Sequence, residues 1–341
     1  MKNYDSWSPL KEVWLGDCYP KHFYDHLDSK VKDCFYEITE ITQHDLSIIS
    51  QKLQELGVTV NRPIYNKVDD YIINGNLLKP HITPRDFYFT FDNNLYFDDD
   101  YNGGRPWTHI ISDYQKNNLI NVKRKFNGLA INGANIVKAG KDIFFDLYGD
   151  DSKNVKIAKF KETVYPEFSE YRCHVLFNGG HTDGCFAILK PGLILASSYF
   201  TNYSETFPGW EIIELDTPEF VDVSRPNEGF LAAKNWYLPN INQNDSFNQH
   251  IIDYALDWVG NYKETYFDIN CLVVDEKNVL MLGENHSLYK KLEGKGITVH
   301  VLPFRARTFW DGGLHCLTVD IIRDSILKDY FSFKESLIIH Q

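Results

Sequence analysis

The chain has 341 residues, of which 43% are hydrophobic and 24% charged; 35 basic and 47 acidic side chains give a formal net charge of −12. This composition sustains a large apolar core and excludes intrinsic disorder of the whole chain. The acidic balance argues against phosphate neutralisation, so neither nucleic acid nor an anionic membrane is an expected partner, whereas a small cationic substrate fits.

The amino terminus, Met1-Lys2-Asn3-Tyr4-Asp5, has no apolar stretch of signal type, and no run of eighteen apolar residues occurs; a cytoplasmic protein is expected. Further along, Leu46, Ile49, Leu53 and Leu56 recur at three- and four-residue steps and predict a helix over 41–56. Alternating apolar residues around Asp92-Asn93-Asn94 predict a β-hairpin over 86–98, followed by a helix over 109–125. A second hairpin is predicted over 135–146, turning at Ala139-Gly140, and a third over 184–197, turning at Lys190-Pro191-Gly192. A helix over 249–262, a hairpin over 270–282 and a short helix over 286–293 complete the pattern. The stretches Leu56-Gly57-Val58-Thr59-Val60 and Lys295-Gly296-Ile297-Thr298-Val299 both read as helix, glycine stop, β-branched strand. No Pro/Ser/Gly-rich linker divides the chain. Repeating hairpins and helix–strand units suggest mixed α/β modules, about five, around a common centre.

Each hairpin has a polar residue at or just before its first strand: Asp86 after Pro84-Arg85, Asn135 after Asn132-Gly133-Ala134, and His181 and Asp183 after Gly179-Gly180. Cys316 follows Gly312-Gly313-Leu314-His315. In a ring of equivalent modules these positions converge on the axis. The glycine pairs can adopt positive φ and admit close backbone approach; a tight turn is the plainer alternative. If 181–183 is strand, His181 and Asp183 face the same way, and His315 faces away from Cys316, as a structural residue. The six cysteines (Cys18, Cys34, Cys173, Cys185, Cys271 and Cys316) form no C-x-x-C pair and are too sparse for a disulfide scaffold; reduced, mostly buried thiols are expected, with Cys316 set apart by its glycine lead-in. No nucleotide loop, no G-x-S-x-G elbow and no cluster completing a metal site with His181 and Asp183 is present, so these patterns point to no nucleotide, no serine triad and no metal site.

These segments, from Trp7-Ser8-Pro9-Leu10-Lys11-Glu12-Val13-Trp14-Leu15-Gly16 through Pro84-Arg85-Asp86, Asn135 to Phe144, His181-Thr182-Asp183-Gly184 and Asn270 to Val279 to Gly312-Gly313-Leu314-His315-Cys316, resemble the amidinotransferase family of the pentein superfamily, in order and from end to end. The resemblance implies a five-module α/β propeller, a single domain over 1–341 with a pseudo-fivefold repeat around a central active site. It implies an enzyme that moves the amidino group of L-arginine to glycine or another small amine through an amidino-cysteine, releasing L-ornithine. Cys316 would be the nucleophile and His181 the general acid/base, with no metal or organic cofactor needed. Asp86 and Asp183 would pair with the guanidinium, and Asn270 would join the substrate-binding residues. A homodimer is carried over as an expectation.

Two departures stand out. Asn135 occupies the position of the family's catalytic carboxylate; it can accept a hydrogen bond from His181 but cannot stabilise an imidazolium by charge. Where glycine-using members carry an arginine for the substrate carboxylate, this chain has Ser197-Ser198-Tyr199-Phe200. Arg305, beside Arg307, is a candidate replacement cation; surface charge is the competing reading. Two other functions remain open: a guanidine hydrolase giving ornithine plus urea or citrulline plus ammonia, and a non-catalytic guanidinium-binding homologue.

Overall fold

The computed structural model describes residues 2–73, 75–97, 105–124, 129, 131–178, 181–197, 202–215, 244–259, 266–283 and 285–340. Apart from a small two-stranded pair, Ile72–Ile73 with Asn76–Leu77, its sheets among the described residues follow one repeated plan: an antiparallel pair with a third strand parallel to the second, and a helix on the connection between the second and third strands. In module I, Thr318–Arg323 runs antiparallel to Leu10–Leu15, which runs parallel to Thr59–Asn61 after the helix Ser29–Glu55. Module II pairs Tyr88–Phe91 with Asn94–Phe97 and, after Thr108–Lys116, adds Asn121–Arg124. Module III joins Ile136–Ala139, Asp142–Asp146 and, after Lys153–Thr163, Arg172–Leu176; Leu337–Ile339 extends its edge. Module IV has Phe186–Lys190, Leu193–Ser197 and Glu211–Leu215, and module V Leu272–Asp275, Asn278–Met281 and Thr298–Val301 after the helix His286–Gly294. Module I draws its first strand from the far end of the chain, so it ties residues 10–15 to residues 318–323 and closes the ring.

All four predicted hairpins form, and the two helix–glycine–strand repeats are the third-strand entries of modules I and V, with Gly57 and Gly296 at φ 80° and 77°. Three helix boundaries differ from the sequence reading. The first helix begins at Ser29, where the Asp28 side chain accepts from the Lys30 N–H. The helix predicted over 109–125 ends at Lys116, because Asn118 adopts left-handed φ (52°) and Asn121–Arg124 then pairs as a strand. The helix predicted over 249–262 runs Asp245–Tyr254, started by the Asn244 cap, and residues 260–262 lie outside the described residues.

The outer helices pack apolar stripes against the sheets. Leu46, Ile49 and Leu53 are fully buried on the first helix, and at about 25 cal/mol per Å² such burial drives its docking. Among the described residues no helix is long and apolar enough to cross a membrane.

Candidate active site

The first strand of each module is preceded by a short turn, and these turns meet at the centre. Pro84–Asp86, Gly133–Asn135 and Thr182–Gly184 are 3-10 turns entering modules II, III and IV, and they touch one another in that order. Asn270 stands ahead of module V, and residues 314–317 form the turn ahead of the first strand of module I. The ring thus brings Asp86, Asn135, Asp183, Asn270 and Cys316 to equivalent places.

Close approach at two glycines sets the position of Cys316. A Cβ on Gly312 would lie 2.7 Å from Thr83 Cγ2, and one on Gly313 would lie 2.7 Å from Asn270 Cβ and Oδ1. Positive φ falls instead on Asp311 (52°), a non-glycine residue. The pair Gly179-Gly180 lies outside the described residues. Cys316 is buried, and its backbone N–H donates to Asn270 Oδ1 at 3.0 Å while Asn270 Nδ2 donates to Cys316 Sγ at 2.9 Å. The thiol also faces Asp183 Oδ2 at 3.3 Å. Asn270 therefore holds both the backbone and the sulfur of Cys316.

His315 departs from the sequence reading. Residues 315 and 316 lie in a turn, where strand alternation does not apply, and His315 Nδ1 reaches the same Asp183 oxygen at 2.8 Å. A carboxylate oxygen accepts, so Nδ1 carries the proton. Burial and the neighbouring Arg85 guanidinium push the His315 pKa down, which keeps the ring neutral. Burial works against the Asp183 carboxylate, but the His315 hydrogen bond, with contributions from His181 and the Cys316 thiol, holds its pKa below the ordinary value. Asp183 Oδ1 is buried with no hydrogen-bond partner among the described residues.

His181 and Asp183 likewise do not share a strand face. His181 opens the turn at residues 182–184 with its side chain 41% exposed, whereas Asp183 is buried. His181 Nδ1 lies 3.8 Å from Asp86 Oδ1. Asp86 Oδ2 accepts from Thr83 Oγ1 at 2.8 Å.

The sequence reading offered Asn135 as the amide facing His181; the structure puts Asn132 Nδ2 3.3 Å from His181 Nε2. The orientation of Asn132 is fixed from behind, because its Oδ1 accepts the Ala134 N–H at 3.0 Å. A donor facing Nε2 makes that nitrogen the acceptor and leaves the proton on Nδ1, toward Asp86. Asn135, fully buried, accepts the Asn132 N–H at 3.4 Å in a reciprocal cap.

Arg305 is placed elsewhere. Its backbone N–H donates to Asp45 on the first helix at 2.7 Å, and its guanidinium, through Nη2, donates to the same carboxylate, also at 2.7 Å. Arg307 stacks over Phe267, 5.4 Å from the ring centroid. Of the Ser197–Phe200 stretch, only Ser197 is described.

Behind the turns lies a buried ionic cluster that sequence patterns did not disclose. Asp320 meets Arg85 Nη1 at 2.7 Å, Lys138 Nζ at 2.8 Å and Arg323 Nε at 3.0 Å. Burial opposes the Asp320 charge, yet these three cations hold its pKa well below the usual carboxylate range. Arg85 also donates to the His315 carbonyl at 3.4 Å, and its backbone N–H donates to the Cys316 carbonyl. The cluster locks the turn of module II to the turn that carries the thiol.

The arrangement offers a buried thiol held by an amide, two carboxylates near it and a half-exposed imidazole beside one of them. All six cysteines are free, five buried and Cys34 half-buried. Among the described residues no three His, Cys, Asp or Glu side chains form a metal-holding group.

No family model matches the chain. It is 26% identical to mitochondrial glycine amidinotransferase of Gallus gallus over 58% of its own length, which is 40% of the length of that enzyme. It is 22% identical to inosamine-phosphate amidinotransferase 1 of Streptomyces glaucescens over 96% of this chain and 98% of the relative. In structure it resembles inosamine-phosphate amidinotransferase StrB1 of Streptomyces griseus, with a TM-score of 0.68 at 18% identity, covering 96% of this chain and 98% of that one. Dimethylarginine dimethylaminohydrolase of Pseudomonas aeruginosa shares the fold at a TM-score of 0.53 and 15% identity, covering 91% of this chain and 99% of that one. In sequence and in fold the chain is similar to the amidinotransferases, and it has the pentein fold.

Proposed function

We propose that the protein is an amidinotransferase that takes the amidino group of L-arginine onto Cys316 and passes it to a small amine. The observation that carries this reading is the setting of Cys316 Sγ, 2.9 Å from Asn270 Nδ2 and 3.3 Å from Asp183 Oδ2, beside the two turns that present Asp86 and His181. Carboxylates at the mouth of a buried thiol suit a planar guanidinium, whose N–H groups they accept. A bound cation next to the sulfur favours the thiolate, and the Asn270 N–H supports the same charge.

The thiolate attacks the guanidinium carbon, forming the S–C bond. The imidazolium of His181, holding the proton that the Cys316 thiol gave up, protonates the leaving amine as its C–N bond breaks; ornithine departs and the imidazole is left neutral. The neutral imidazole then takes a proton from the incoming amine, which attacks the amidino carbon and expels Cys316. Asp183, fixed by His315, and Asp86, fixed by Thr83, hold the guanidinium plane throughout. The identity of the acceptor, glycine or another amine, belongs to this proposal.

A second reading, guanidine hydrolysis on the same scaffold, is favoured by the 41% exposure of the His181 side chain, which leaves water free to reach the base. Mass spectrometry of products from L-arginine, with and without glycine and a panel of amines, separates the two. Ornithine with an amidinated amine supports transfer. Ornithine with urea, or citrulline with ammonia, supports hydrolysis, and no product from arginine refutes both.

A further inference from the structure

Asp86 is also one wall of a cavity of about 230 Å³, whose other lining includes Tyr71, Leu78, Lys79, Phe87 and Asp257. Lys79 is half-buried and Asp257 exposed, and neither makes a hydrogen bond or an ion pair among the described residues. The Lys79 charge does reach Asp311, a carboxyl that burial pushes upward and that also feels Asp86 and His181. Asp86 thus belongs both to the wall of this cavity and to the carboxylates beside His181.

A guanidino amino acid is a rod with a cation at one end and a carboxylate and an ammonium at the other. If Asp86 and Asp183 take the guanidinium, the cavity walled by Asp86 adjoins it and has room for the far end. A substrate carboxylate there would be repelled by Asp86, Asp257 and Asp311 unless a cation accompanied it. Among the described residues, Lys79 is the cation lining this cavity; the other basic side chain, His81, is kept uncharged by burial, which pushes its pKa down to about 3. The apolar walls of Tyr71, Leu78 and Phe87 suit the methylene chain between the two ends. Arg305, the cation suggested by sequence, is committed to Asp45.

We infer that Lys79 binds the α-carboxylate of a guanidino amino acid, with Asp257 facing its α-ammonium, so that this cavity selects an amino-acid donor over a simple guanidino-alkane. The inference rests on the proposed role of Cys316 and goes beyond it by naming the specificity residue.

The test is calorimetric titration of the Cys316→Ser protein, which cannot turn over, with L-arginine and with agmatine, the same molecule without its carboxylate. Adding Lys79→Met should weaken L-arginine binding by about tenfold or more, the scale of one lost charge-assisted hydrogen bond, and leave agmatine binding within about twofold. Lys79→Arg should keep most of the preference for L-arginine. Retained agmatine binding shows that the variant is folded. Equal weakening of both ligands, or of neither, overturns the inference and leaves the reading of Cys316 standing. Binding of neither ligand before Lys79 is changed overturns both.

Discussion

Replacing Asn270 by Asp changes one atom next to the sulfur and little else. The oxygen that accepts the Cys316 N–H at 3.0 Å remains, so the backbone of the turn keeps its anchor. The donor 2.9 Å from Sγ becomes a carboxylate oxygen, and the hydrogen bond that favours the thiolate becomes a like-charge contact. At an effective dielectric of about 20, two unit charges about 3 Å apart repel by about 5 kcal/mol. Relaxation and screening reduce this, but about a quarter of it already lowers the thiolate population tenfold. The assay is the rate of iodoacetamide alkylation at Cys316, followed by peptide mapping at fixed pH, with the other five cysteines as internal references. Asn270→Asp should slow alkylation of Cys316 by at least about tenfold, and more than Asn270→Ala, which removes the donor without adding charge. An unchanged rate in Asn270→Asp, or equal rates in the two variants, would refute the claim that the Asn270 amide controls the charge on the sulfur.

Two other perturbations follow from the geometry around His181. Asn132→Asp places a carboxylate oxygen opposite His181 Nε2, favours the imidazolium and should shift the pH–rate profile upward. Asn135→Asp acts one hydrogen bond further away and should shift it less; a larger shift from Asn135→Asp would make Asn135 the partner of the imidazole. Asp146 accepts from the Asn178 N–H and Thr182 Oγ1, on either side of the His181 loop, and burial pushes its pKa up to about 6 from an ordinary 3.8. The folded state then holds this proton where the unfolded chain has lost it, so stability falls as pH rises from about 4 to about 6. Asp146→Asn should remove about 3 kcal/mol of that pH dependence in urea unfolding, from about 2 pK units at 1.36 kcal/mol each; an unchanged slope would contradict the assignment.

The periodic part of the fold was legible in the sequence because hairpins and outer helices bury residues at steps of 2 and of three to four. The boundary at Asn118 was not, since apolar Ile120 and Val122 continue a helical rhythm past a residue that adopts left-handed φ. The convergence of Asp86, Asp183 and Cys316 followed from their equivalent places before first strands. The partners of those residues did not follow. Alternation puts His315 opposite Cys316 only on a strand, and both lie in a turn, where they meet on one oxygen of Asp183. Asn132 stood three residues from the position under scrutiny, and only the Ala134 N–H on its oxygen shows which end faces the imidazole. The Asp320 cluster joins residues 85, 138, 320 and 323, a long-range pairing with no local signature. Arg305 was attractive by charge alone, and its commitment to Asp45, 260 residues earlier, depends on how the first helix packs.

The most direct test of the account is intact-mass and peptide-mapping analysis of the protein quenched in acid during turnover of L-arginine without an acceptor amine. The account predicts a mass increase of one amidino group, carried by the peptide that contains Cys316, absent from Cys316→Ala and discharged when the acceptor is added before quenching. An adduct on another residue, or ornithine release by Cys316→Ala at the unaltered rate, would contradict it.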